Sequence, residues 1–112
     1  MARNEESKVE KYFKDEMKRI GGLSFKWTSP GTNGVPDQIA FHDHRVYLAE
    51  IKTLGGILSP AQLRLHAKLA SVGIDVWTLR GKEDVDLFTS RLEEWKHVDV
   101  DVDSSADWRS GK

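Results

Sequence analysis

The segment from Arg45 to Leu79 constrains this chain more than any other. The largely apolar run from Arg45 to Lys52 reads as a strand, and Ile74 to Leu79 as another. Between them the signals for a helix are dense. Ser59 is a natural N-cap, Pro60 suits the first helical position, and Gln62 completes a capping box. Leu58 and Leu63 stand where a hydrophobic staple would put them. Leu63, Ala67 and Ala70 share a face until Gly73 ends the helix. Two strands joined through a helix pair in parallel, and such crossovers are right-handed. The chain is therefore expected among α/β folds.

The remaining elements extend that unit. Residues 5 to 20 read as a helix, with Val9, Tyr12, Phe13, Met17 and Ile20 in an approximate 3.6-residue rhythm that Gly21-Gly22 stops. Leu23, Phe25 and Trp27 alternate with polar residues, which suggests a strand over 23 to 28. A turn-rich loop from Ser29 to Gly34 leads to a second strand, Gln38 to Phe41, and His42-Asp43-His44 is a tight turn. Residues 83 to 95 form a last helix with Val85, Phe88, Leu92 and Trp95 on one face. The expected order is α-β-β-β-α-β-α: an antiparallel meander joined to a parallel strand in a mixed sheet flanked by helices.

At 112 residues the chain is expected to form one domain over 1–96, followed by an acidic tail over 97–112. In the tail Val98, Val100 and Val102 alternate with Asp99, Asp101 and Asp103. An edge strand pairing with a partner subunit is one reading; a flexible terminus is the expectation. The net charge of -1 says little about a nucleic-acid partner, because the acidic tail offsets a slightly basic body. Zero cysteines exclude disulfides, thiolate zinc sites and a cysteine nucleophile. No apolar run approaches membrane-spanning length and no signal-peptide pattern opens the chain. An intracellular, cytoplasmic protein with no membrane partner is expected.

The residues with chemistry are Asp37, in Gly34-Val35-Pro36-Asp37, and the Glu50-Ile51-Lys52 that follows. Strand side chains alternate, so Glu50 and Lys52 point the same way while Ile51 turns inward. A hairpin would bring Asp37 to the same end of the sheet. Two carboxylates and an ammonium then converge, a set whose hard oxygen donors suit Mg²⁺ or Mn²⁺ and phosphoryl transfer. The bland alternative makes Glu50 and Lys52 an exposed pair worth little. The apolar neighbours of this strand argue against a solvated face.

The run GVPD…EIK…LSPAQ, with a Glu in the preceding helix, resembles the VRR-NUC (virus-type replication-repair nuclease) family of the PD-(D/E)XK superfamily, over roughly residues 7 to 80. The resemblance implies a restriction-endonuclease-like core. It implies that Asp37, Glu50 and the backbone carbonyl of Ile51 hold a metal ion, with Glu10 completing the shell directly or through water. Lys52 would orient or help deprotonate the attacking water and stabilise developing negative charge, and Gln62 would face the site. Two of these residues have a structural reading as well. Ser7-Lys8-Val9-Glu10 is itself a capping box, and so is Ser59-Pro60-Ala61-Gln62.

Lys11, Lys14 and Lys18 on the first helix, with Arg64 and Lys68 on the second, are candidate phosphate contacts. The four histidines are dispersed and read as surface or packing residues; Trp27, Trp77 and Trp95 read as core. The resemblance to compact viral members implies an Mg²⁺- or Mn²⁺-dependent endonuclease in a bacterial or phage-infected cell. It would be a homodimer acting on branched DNA such as Holliday junctions in replication or repair. Rival readings are a flap or nicking nuclease, or a non-catalytic DNA-binding module of the same fold.

Overall fold

The computed structural model describes residues 2–95, so the expectations for the 97–112 tail and for His97 lie outside the described residues. The elements are α1 (Ala2–Arg19), β1 (Leu23–Lys26), β2 (Gln38–His42), β3 (Arg45–Lys52), α2 (Pro60–Ser71), β4 (Val76–Arg80) and α3 (Gly81–Glu94). Their order is the expected one. One sheet has strand order β1-β2-β3-β4. The β1–β2 and β2–β3 pairs are antiparallel and β3–β4 is parallel, with Glu50 opposite Thr78 and Ile51 opposite Leu79. Between β2 and β3 the chain reverses at Asp43 and His44, both with positive φ (45° and 71°), as a two-residue hairpin turn requires.

The core lies between one face of the sheet and the pair α1 and α3. Val9, Phe13 and Met17 recur at helical spacing on α1, as do Val85, Phe88 and Leu92 on α3, and all are buried. They pack on Ala40, Tyr47, Ala49, Ile51 and Leu79 of the sheet. Phe88 is the centre of this layer. Its ring lies 5.8 Å from Phe13, 5.6 Å from Tyr47 and 5.2 Å from Trp77, the last two edge-on, as aromatic quadrupoles prefer.

Glu50 lies between Ala49 and Ile51, so strand alternation turns it to the opposite face, where α2 lies. That face is only partly covered. Leu23, Phe25, Phe41 and Val46 remain exposed on it, with the Phe25 and Phe41 rings 6.1 Å apart, and α2 has no fully buried residue. Among the described residues no helix is long and apolar enough to cross a membrane.

Several sequence readings need correction; β4, for one, runs Val76–Arg80 rather than from Ile74 to Leu79. β1 ends at Lys26 rather than 28, after which a single backbone bond, Trp27 N–H to the Asp37 carbonyl at 2.7 Å, prolongs the pairing. Trp27 is half-buried and stands outside the core, because the Leu23/Phe25 side of β1 is the uncovered one; Trp95 is 37% exposed yet packs its ring 5.9 Å from Trp77. On α2, Leu63, Ala67 and Ala70 are exposed. The half-buried side of α2 is Gln62, Leu65, His66 and Leu69, rotated from the expected face.

Truncating Phe88 leaves a void between three aromatic rings. Phe88→Ala is expected to lower stability by about 3–5 kcal/mol, read as a fall in urea midpoint with an unchanged denaturant slope.

Candidate active site

The loop that delivers Asp37 is held by close backbone contact. Gly34 has φ +87°, and a Cβ there would stand 2.4 Å from the Ala61 carbonyl oxygen at the start of α2. Only glycine permits both the conformation and the approach. Pro36 next to it is fully buried. Asp37 then lies one residue before β2, and its Oδ2 accepts the backbone N–H of Ile51 at 2.9 Å. That bond crosses from the mouth of β2 to β3 and brings the Asp37 carboxyl beside Glu50.

Glu50 is 1% exposed. Its Oε2 accepts from Gln62 Nε2 at 3.1 Å, while Oε1 is buried with no hydrogen-bond partner. Burial first, then hydrogen bonding to and repulsion by Asp37, push its pKa up from 4.5 to about 9; Lys52 pulls the other way and Glu6 adds a little repulsion. Lys52, two residues along β3, shares the face of Glu50 and is half-buried.

Gln62 closes the capping box and also reaches Glu50. Its N–H donates to Ser59 Oγ at 3.1 Å and its Oε1 accepts from the Ser59 N–H at 2.8 Å, which completes the capping box. The remaining Nε2 is the group that donates to Glu50.

Glu10 has a different position. α1 begins at Ala2, so the Ser7–Glu10 box lies inside the helix and caps nothing. The Glu10 carboxylate instead accepts from Gln38 Nε2 at 3.0 Å and lies 3.4 Å from Lys26 Nζ. It neighbours the site through Gln38, the residue after Asp37. Of the candidate phosphate contacts, Lys11 is paired with Asp15 at 2.8 Å, and Lys14 and Lys18 are exposed on α1. Arg64 and Lys68 line an open recess between α2 and Thr32–Asn33. The two basic groups therefore occupy layers on opposite sides of the sheet.

The sequence suggests a packing or surface role for His66, and the structure places it beside Glu50. Its Nε2 lies 3.5 Å from Glu50 Oε1, buried and without a hydrogen bond. Burial holds the imidazole below its usual range, with Asp37 opposing that shift and Lys52 reinforcing it, so the ring is neutral near pH 7. The available signal was its spacing, one helical turn after Gln62 on the same side of α2.

The donor set suits a divalent cation. Two carboxyl groups are forced together, and one oxygen of the deeply buried Glu50 is unpartnered, so a cation that displaced the Glu50 proton would find donors ready for it. Among the described residues no three His, Asp or Glu side chains already form a cation cage.

No family model matches the chain. Among curated proteins, p44 of Acyrthosiphon pisum secondary endosymbiont phage 1, named as a candidate nuclease, is 37% identical over 79 residues, which span 70% of this chain and 85% of p44. A solved structure described as a VRR-NUC domain superposes with TM-score 0.71 at 27% identity, covering 77% of this chain and 95% of that one.

The raised pKa of Glu50 means that the folded state binds its proton more tightly than the unfolded state does. The stability it contributes is full below about 4.5 and is lost as pH rises through about 9. In metal-free solution the melting temperature of the wild type is expected to fall across that window relative to Glu50→Gln. Mg²⁺ or Mn²⁺ should flatten the difference. A parallel pair of pH profiles would show that Glu50 is not ionising against the fold.

Proposed function

The chain belongs to the VRR-NUC family of nucleases, and from that premise we propose that it is a metal-dependent DNA endonuclease whose site is the Asp37–Glu50–Lys52 cluster. The observation that carries the reading is the buried Glu50 carboxylate beside Asp37, with an oxygen left over for a cation. Asp37 and Glu50 would hold Mg²⁺ or Mn²⁺, with the Ile51 carbonyl as a further donor and Glu10 contributing through water. Such an ion, when bound, supplies charge neutralisation at the scissile phosphate and lowers the pKa of an attacking water.

The chain's own residues supply the rest. The Ile51 N–H fixes the rotamer of Asp37, and Gln62 fixes one oxygen of Glu50. Lys52 presents its ammonium on the same side of β3. It would stabilise the negative charge that builds on the phosphoryl oxygens. Arg64 and Lys68 lie on the α2 side with Glu50 and would take the backbone of the DNA, giving affinity without sequence preference. Lys14 and Lys18, on the far layer, would contact a second segment of a branched substrate.

Two further steps concern substrate and assembly. A homodimer would place two such sites on one DNA, the arrangement that resolving a four-way junction by paired cuts requires. The uncovered apolar face formed by Leu23, Phe25, Phe41 and Val46 gives a second copy a surface to bury.

The test is cleavage of labelled four-way junction, flap and linear duplex with Mg²⁺ or Mn²⁺. Symmetric paired cuts in the junction are expected. Asp37→Ala should abolish them, and Lys52→Ala should lower kcat/KM by about a hundredfold or more while DNA binding persists. Cutting mainly at the flap would keep the nuclease and discard junction resolution. Binding without cutting would favour a DNA-binding module. Arg64→Ala and Lys68→Ala should each reduce the salt dependence of binding by about one unit of log K against log salt.

A further inference from the structure

Beyond the carboxylate pair, the site holds a nitrogen that the proposed chemistry has not used. His66 Nε2 and Glu50 Oε1 are both buried, both lack a hydrogen-bond partner, and face each other at 3.5 Å. His66 is 13% exposed at its side chain and Glu50 is 1%. Buried polar atoms are paired in nearly all folded proteins, so two facing orphans need a physical account.

We propose that His66 is a nitrogen ligand of the site's cation, bound beside Glu50, and that it biases the site towards a first-row transition ion such as Mn²⁺ over Mg²⁺. The inference rests on the metal-dependent reading of the Asp37–Glu50 pair.

A hydrogen bond between the two atoms is the simpler alternative, and distance alone does not decide between them. Neighbouring donors of an octahedral ion stand about 3 Å apart, given bonds of about 2.1 Å, and a hydrogen bond spans about 2.7–3.2 Å. Partnering decides. At 3.5 Å the two atoms face each other, yet both are buried without a hydrogen bond. A cation held between them would satisfy the oxygen and the nitrogen together.

The consequence for selectivity follows from donor softness. Oxygen donors alone suit Mg²⁺, Ca²⁺ and Mn²⁺ alike, whereas imidazole adds affinity along the first transition series and little for Mg²⁺. α2 supplies the means of presenting it. Gln62 and His66 are one turn apart on the side that faces Glu50, so the capped first turn of α2 sets the position of both.

The experiment is pulsed EPR on the full chain loaded with Mn²⁺, without DNA. The wild type is expected to show ¹⁴N modulation that changes to the ¹⁵N pattern when only histidine is ¹⁵N-labelled. His66→Leu should remove it and weaken Mn²⁺ binding about tenfold with little change for Mg²⁺. Should His66→Leu fail to fold, the labelled wild type still reports histidine ligation. Replacing His42, His44 and His97 by Asn, one at a time, then assigns it, since each should keep the signal. Mn²⁺ binding that Asp37→Ala weakens, but without nitrogen modulation, would overturn the His66 assignment and leave the metal site standing. A wild type that binds no Mn²⁺, or whose binding ignores Asp37→Ala, would overturn both.

Discussion

Everything at the functional end of this molecule depends on one enforced proximity, that of the Asp37 and Glu50 carboxyls. Glu50 is fixed by its strand position, between two residues that belong to the core. Asp37 is fixed by a backbone amide of the same strand. Neither can retreat without breaking the sheet or exposing apolar side chains. The repulsion between them, and the cost of burying Glu50, is therefore carried by the fold as a whole. It is tolerable because the α1/α3 layer, centred on Phe88, supplies its stabilisation on the opposite face of the sheet. Stability and chemistry are divided between the two faces of one strand, residue by residue.

The division explains why α2 is so differently built from α1 and α3. α1 and α3 bury regular apolar stripes. α2 buries none of its residues completely, and the side it turns to the sheet carries Gln62 and His66 among Leu65 and Leu69. A helix with so little apolar burial needs other reasons to hold its place. Its capping box, Pro60, and the close approach of Gly34 to Ala61 fix its first turn. The Gln62 amide then links that turn to Glu50. The start of α2 is consequently the precise end of the helix, and it is the end that meets the site.

Much of the fold could be read from local pattern, because each element carried its own signal. The Ser59–Gln62 box, the 3.6-residue rhythm of α1 and the hairpin residues Asp43 and His44 needed no tertiary information. The carboxylate pair was legible too, since strand alternation and a hairpin between Asp37 and Glu50 suffice to bring them together. What failed was the choice of face where apolar residues lie on both sides of an element. On α2 the row Leu63, Ala67, Ala70 is as apolar as Leu65 and Leu69, yet the first row is exposed and the second, with His66, faces the sheet. On β1 the Leu23–Phe25–Trp27 side is the more apolar, yet Ser24 is buried and Leu23 and Phe25 are exposed. Hydrophobic pattern gives the period of an element; which side is covered depends on what the rest of the chain brings to it. Glu10 shows the same limit, as the local box is real in sequence but α1 has already begun at Ala2.

Gln62 shows why such ambiguity need not be resolved in favour of one role. An amide has an acceptor and a donor end, and here the acceptor closes the helix cap while the donor holds Glu50. The cap is thus part of the site's geometry. A substitution such as Gln62→Glu preserves the acceptor end and the capping box in form, but it replaces the N–H that Glu50 needs with a third negative charge. Gln62→Ala removes both ends. The first change should harm the site more than the helix, and the second should harm both. The same hydrogen-bond chain that starts α2 therefore also sets how the carboxylate pair can be used, and a single residue type, one with both a donor and an acceptor at the end of a short flexible arm, meets both demands at once.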